Sequence, residues 1–219
     1  MSTVPQVLAI GGAFSDWPLD TLRDVIRNAE TAGVGIVVLP DDIAPADGGD
    51  GWPDALILIG WLAASTTRIR LIARLSSLGH QPYNLARRHA SLDLISHGRA
   101  GWLVSGDRVA DARAAFSGKA RLDGVDLGER EREFVAIVEG LWQSWDGDAL
   151  VMDKQAGLFF RPDAMHSLNH SGPHFSVQGP LNVMRSPRGT PDLLREGELS
   201  GVVTVDTPQA ALALLGGAP

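Results

Sequence analysis

The chain contains no cysteine, which in one step removes disulfides, thiolate nucleophiles and sulfur-ligated metals from consideration. Its longest apolar run, residues 55–64, is about half the length a bilayer span requires, and the opening MSTVPQ lacks the positive charge of a secretory leader. Basic residues are in deficit: 19 Lys and Arg stand against 26 Asp and Glu, a formal charge of −7. No basic face large enough for nucleic acid or an anionic membrane is visible. Absent too are GxGxxG, a Walker loop and a GxSxG elbow, so dinucleotide, nucleoside-triphosphate and α/β-hydrolase readings have no motif. These absences predict a soluble, cytoplasmic protein with no nucleic-acid or membrane partner.

What is present is ordinary globular material. With 219 residues, 44% hydrophobic and 21% charged, the chain is long enough for one domain, 1–219, with a well-buried core. Residues 7–10 read as a short buried strand, followed by Gly11 and Gly12 and a helix entered near Asp16 and Pro18. Leu22, Val25, Ile26 and Ala29 give that helix one apolar face, and Gly33 stops it. GIVVL at 35–39 is a β-branched run ended by Pro40. Beyond an Asp- and Gly-rich loop, 41–51, Pro53 opens a helix to about residue 65, and 69–73 supply a third strand. In 81–102, QPYNLARRHASLDLISHGRAGW, Pro82 sets a first helical turn. Leu85, His89 and Leu92 share one face, Gly98 stops the helix and a strand begins at Ala100.

Phe134, Ile137, Val138, Leu141, Trp142 and Trp145 show the strongest helical periodicity in the chain, which makes the two tryptophans core residues. From about 147–190 Gly, Pro, His and Ser dominate, an irregular insertion in which FSV, 175–177, reads as a hairpin fragment; insertions of this length are often functional. Two further strands fall at 193–194 and 202–205, and Thr207 with Pro208 starts a last helix. The alternation places parallel strands inside and helices outside, an α/β architecture. A (β/α)₈ barrel needs eight strands and about 250 residues. The expectation is therefore a TIM-barrel-like fold, incomplete, with about six parallel strands. Either another subunit supplies the missing strands or an open edge must be covered.

His166, His170 and His174 are spaced at four, but Gly172 and Pro173 break any helix through them and no paired carboxylate accompanies them, so no metal site is expected. His80, at the exit of the third strand, is the candidate to touch a substrate or donate a proton.

PYNLARR, ASLD and GRAGW are joined by two further blocks, EFVAIVEGLWQSWDGDALV at 133–151 and GPHFSVQGPLNVMRSPR at 172–188. In that order they resemble the bacterial-luciferase-like flavin monooxygenases, in the branch that includes nitrilotriacetate and dibenzothiophene-sulfone monooxygenases. The resemblance implies reduced FMN, delivered by a separate flavin reductase, reacting with oxygen to oxidise a small organic substrate. The protein would hold the isoalloxazine ring, exclude water and place the substrate; it would be a homo-oligomer.

Matched position by position, the family's flavin seat falls on Asp41, Arg74, Ser76, Ser77 and Leu103. Several positions depart from the family pattern. Arg74 stands where Thr is usual, and Leu103 replaces an Asn whose hydrogen bond an apolar side chain cannot supply. Leu127 and Gly128 replace an Arg-Tyr pair. PDLLREGEL, 191–199, stands where the family reads Gln-Ala-Gly, and its Glu196 and Glu198 repel a phosphate. The alternative is a shortened, non-catalytic relative with a degraded flavin site, acting as a subunit or small-ligand-binding module that associates through the open sheet edge and the helix 53–65.

Overall fold

The computed structural model describes residues 4–41, 50–105, 124–186 and 188–216; most of the Asp- and Gly-rich loop, 42–49, lies outside them. In chain order the main elements are β1 (Val7–Ile10), α1 (Leu19–Ala32), β2 (Ile36–Asp41), α2 (Ala55–Ala63), β3 (Arg70–Leu75), α3 (Pro82–Ser96), β4 (Ala100–Val104) and α4 (Leu127–Trp142). Then follow β5 (Leu150–Asp153), β6 (Leu158–Phe160), β7 (His170–Ser171), β8 (Ser176–Val177), β9 (Asp192–Arg195), β10 (Val202–Val205) and α5 (Pro208–Leu214).

Six strands form one all-parallel sheet in the order β10-β1-β2-β3-β4-β9. The apolar runs of β2, β3 and β4 occupy its middle, where most of their residues are buried. The remaining strands form two small hairpins, β5–β6 and β7–β8, inside the stretch read as irregular. The second is the FSV fragment; the first has an exposed face and a register shift, which weakens any alternating pattern in its sequence.

Helix boundaries follow local chemistry. Helix α2 begins two residues after Pro53 because Asp54 is its cap, accepting N–H bonds from Leu56 (2.9 Å) and Ile57 (3.2 Å). Helix α3 ends on two successive left-handed residues, His97 (φ 58°) and Gly98 (φ 77°), so the stop is shared and not made by glycine alone. Thr207 Oγ1 accepts from the Ala210 N–H at 3.2 Å, the cap expected for α5.

The helices cover one face of the sheet. Leu8, Leu39, Leu71 and Trp102 are sealed there with no exposure, against Leu22, Ile59, Phe134 and Leu141. Within this layer His89 lies between Trp102 (ring centroids 6.1 Å apart) and Trp142 (6.0 Å). Burial, with the nearby His80 and Arg88 charges, pushes the His89 imidazole down to about 3, so it is neutral. The buried Arg99 guanidinium donates to the carbonyls of Ser96, Ile69, Ala63 and Thr66 and to Thr66 Oγ1, between 2.7 and 3.2 Å. Every one of those bonds replaces one the charge gave up on leaving water, and together they tie the end of α2 to the starts of β3 and β4.

The connection between β9 and β10 sets the curvature. These strands are the two outer edges of the sheet, yet only residues 196–201 separate them. A flat six-stranded sheet would hold its edges ~24 Å apart, five spacings of ~4.8 Å. Seven Cα steps reach at most ~25 Å when fully extended. Because β9 and β10 are parallel, those same residues must also run back down the length of a strand. The sheet is therefore curled until its edges approach, and the 196–201 strap descends through the gap, with Leu199 packed onto the inner face beside Val7, Val38, Ile72 and Leu103. The barrel is incomplete, and its sheet is not closed.

Candidate functional site

Parallel register stacks the inward-facing residues in layers. Thr204, Ala9, Val38, Ile72, Gly101 and Asp192 lie side by side across the six strands; one layer higher come Pro40, Arg74, Leu103 and Leu194. Near the strands' N-terminal ends Arg70 on β3 reaches over β4 to Asp192 on β9, its Nε donating at 2.7 Å and its Nη2 also in contact. Gly101 makes that crossing possible. A Cβ there would stand 2.6 Å from Ile72 Cδ1 and 2.8 Å from Asp192 Cβ.

The other end is open. A cavity of about 570 Å³ occupies the C-terminal mouth of the strands and extends down the inner face along β1 and β10. Ala9, Val38 and Leu103 form its apolar floor, with Arg74 beside Leu103. Gly11–Ala13 and Trp52 make one wall; Arg195, Glu196, Gly197 and Leu199 make the other. Both the volume and the position are those of a small-molecule site on a barrel.

The wall at β1 is held by close backbone approach. Gly11 N–H donates to Val205 O at 2.9 Å, and a Cβ on Gly11 would lie 2.5 Å from Asp206 Oδ1. Gly12 has φ +76° and lies against the Asp206 backbone, so only glycine fits. Their carbonyls accept the indole N–H groups of Trp17 and Trp52, each at 2.9 Å. Asp50 secures the segment leading to Trp52, accepting from Ser15 N–H at 2.6 Å.

Of the sequence-predicted site residues, Arg74 and Leu103 line this cavity. Asp41, at the end of β2, accepts the Ala55 N–H at 3.1 Å and so holds the start of α2. Ser76 accepts from Leu78 N–H at 3.2 Å and caps a single 3₁₀ turn, Ser77–Gly79. Ser77 is fully buried, its hydroxyl without a hydrogen-bond partner. His80 opens instead on a groove with Ile57, Gln81, Arg87 and Arg88, where burial and the Arg88 charge lower its pKa. Leu127 and Gly128 form the first turn of α4. Glu196 faces the cavity, whereas Glu198 accepts from Arg195 N–H at 2.8 Å in the strap's turn.

The three spaced histidines meet three separate carboxylates: His166 with Asp146 (3.1 Å), His170 with Glu133 (2.8 Å) and His174 with Glu129 (3.6 Å). Among the described residues no group of three or more His, Asp or Glu is placed to hold a metal ion. Glu133 also accepts the His174 and Phe175 N–H bonds, fastening the β7–β8 hairpin to α4. Burial opposes its charge, but the His170 and backbone donors outweigh it and hold the carboxyl below its usual range.

Sequence reading did not find Trp52, Arg195, Leu199 or Thr204. The Gly11-Gly12 pair carries a detectable signal, a double glycine after a strand. Trp52 lies in a loop without periodicity, and the strap residues reach the cavity only through the path of the chain.

The luciferase-like monooxygenase family model matches residues 5–194. The N-acetyl-S-(2-succino)cysteine monooxygenase of Bacillus subtilis is 38% identical over 185 residues, 82% of this chain and 42% of the relative. The dibenzothiophene-sulfone monooxygenase of Rhodococcus erythropolis is 36% identical over 190 residues, 80% of this chain and 42% of the relative. A riboflavin lyase solved with modified FMN and riboflavin superposes with a TM-score of 0.77 at 30% identity, over 98% of this chain and 55% of that one. The chain thus spans about two-fifths of the length of these two curated relatives. With the match running through the strands that build the cavity floor, this chain belongs to the luciferase-like monooxygenase family.

Proposed function

We propose that the chain binds reduced FMN in the cavity at the mouth of its strands and takes part in the monooxygenation of a small organic compound. The cavity carries this reading. Its apolar floor suits a flat ring, the Arg195 guanidinium suits an anionic tail, and a Cβ on Gly197 would meet nothing within 4 Å, so the strap leaves space at that wall. Glu196 opposes the phosphate and sets a limit on affinity.

When bound, the flavin supplies the oxygen chemistry; the chain's own residues bind, orient and exclude water. Ala9, Val38 and Leu103 would face the ring, and Leu199 on the strap would keep water from the floor. A flavin reductase would deliver the reduced cofactor, in the cytoplasm. Self-association has as its support two outward isoleucines, Ile57 (67% exposed) on α2 and Ile95 (61%) on α3. The relatives' names favour an oxygenase over a non-catalytic subunit.

Titration with FMN, followed by quenching of flavin fluorescence, tests the reading. Saturable binding is expected, and its absence at high micromolar flavin overturns the proposal. Leu103→Asn restores a hydrogen-bonding side chain at the floor and should tighten binding about threefold to tenfold, the range of one added hydrogen bond. Arg74→Thr, which gives the ring more room, should also tighten it. Weaker binding in both variants would place the flavin elsewhere.

A further inference from the structure

Trp52 is half-buried in the cavity wall, and its surroundings fix it before any ligand arrives. Its indole N–H is committed to Gly12 O at 2.9 Å. Phe14 meets the ring edge-on, with centroids 5.4 Å apart at 62°, and Trp17, sealed at 0% exposure, lies behind it at 6.2 Å. The accepting carbonyl is itself immobilised, because Gly12 lies so close to the Asp206 backbone that a Cβ would sit 2.3 Å from Asp206 O. With its one polar group already bonded, the indole has only its π surface to offer a ligand. The remaining lining holds no second aromatic ring, so Trp52 is the cavity's one aromatic surface among the described residues.

We propose that Trp52 is a specificity-determining residue of this cavity, a preorganised wall against which the planar ring of the bound cofactor stacks, so that the site selects flat aromatic ligands over aliphatic anions of similar charge. This inference rests on the flavin reading above and adds to it the residue that recognises the ring. Bracing by Gly12, Phe14 and Trp17 means that little side-chain freedom is lost on binding.

The experiment compares FMN with lumiflavin, which is the ring without its tail, on wild type, Trp52→Phe and Trp52→Leu. Removing a stacking aromatic is expected to weaken both ligands by the same factor, roughly tenfold, in Trp52→Leu. Trp52→Phe should stay within about threefold of wild type, since the ring face is retained. Ribose 5-phosphate, an aliphatic anion, should bind all three proteins equally weakly. If wild type shows no saturable flavin binding, the functional reading itself fails. If wild type binds flavin and Trp52→Leu binds both ligands as tightly, this inference fails alone. A loss for FMN but not for lumiflavin also overturns it, because the tail would then be what Trp52 senses. Should Trp52→Leu not fold, Trp52→Phe and Trp52→His carry the comparison, with graded weakening expected and identical affinities overturning it.

Discussion

The two faces of the sheet are made by alternate residues of the same strands, yet they are built for opposite ends. On the helix-covered face, Leu8, Leu39, Leu71 and Trp102 are completely sealed; the Trp102 indole N–H donates to Leu75 O (3.0 Å), while both ring nitrogens of the buried His89 stand without a hydrogen-bond partner. On the inner face the same strands present Arg70, Arg74, Asp192 and Thr204 among small apolar residues. One face is a close-packed core; the other is shut by an ion pair at one end and left hollow at the other. Period-two alternation thereby separates stability from ligand contact, and substitutions on one face should barely register on the other.

The harshest test truncates the covered face. Trp102→Ala removes a fully buried indole that contacts His89 and Phe134, and the expected loss is about 3–5 kcal/mol in urea unfolding. A loss under about 1 kcal/mol, far outside the range of such truncations, would mean that this face is not the core.

The next largest effect is a pH dependence from the same layer. The folded state holds His89 neutral, pushed down to about 3 mainly by burial, while the unfolded chain binds a proton near pH 6.5. Stability from this group is therefore present in full above pH 6.5 and is lost as pH falls toward 3, at up to ~1.4 kcal/mol per pH unit. Between pH 6.5 and 5 wild type should lose roughly 2 kcal/mol that His89→Met does not lose. His80 is shifted in the same direction and remains in both proteins, so their difference isolates His89. Parallel pH profiles would show that His89 reaches solvent.

The contrast between faces also explains what the sequence could reveal. Core helices announce themselves by spacing: Leu22, Val25, Ile26 and Ala29 are buried as their periodicity required, and so are Phe134, Ile137, Val138 and Leu141. All six strands of the sheet were legible because apolar runs between Gly and Pro have few other uses. The branch resemblance pointed to Arg74 and Leu103 in the cavity lining. The rest was hidden because the cavity is assembled by register and by chain path. Asp192 and Arg70 are 122 residues apart and meet only across a glycine. Nothing local in REGELS says that the strap turns back down the barrel and carries Leu199 to the inner face. Trp52 is one aromatic in a loop, and only its bond to Gly12 gives it a place.

On the inner face the expected effects are smaller. Gly101→Val fills the space through which Arg70 reaches Asp192, and overpacking of this kind costs about 1–3 kcal/mol. Its unfolding midpoint should fall while the spectroscopic signature of the buried tryptophans stays native; a midpoint equal to wild type would mean that the two strands part easily enough to admit the side chain.

The smallest effect separates the two ends of the barrel. Arg70 and Asp192 have side chains 37% and 38% exposed, so solvent screens their attraction, and Asp192→Asn should cost under about 1 kcal/mol. Most of that difference should vanish in 1 M salt, where the screening length is ~3 Å. Flavin affinity should not change, because the pair lies at the strands' N-terminal ends and the cavity at their mouth. A stability loss well above 1 kcal/mol would show that the ion pair, and not the strap, holds the curled edge in place. A weakening of flavin binding by more than about threefold, over 0.6 kcal/mol, would show instead that β9 transmits its position to Arg195 and Glu196, so that the closed end of the barrel tunes the open one.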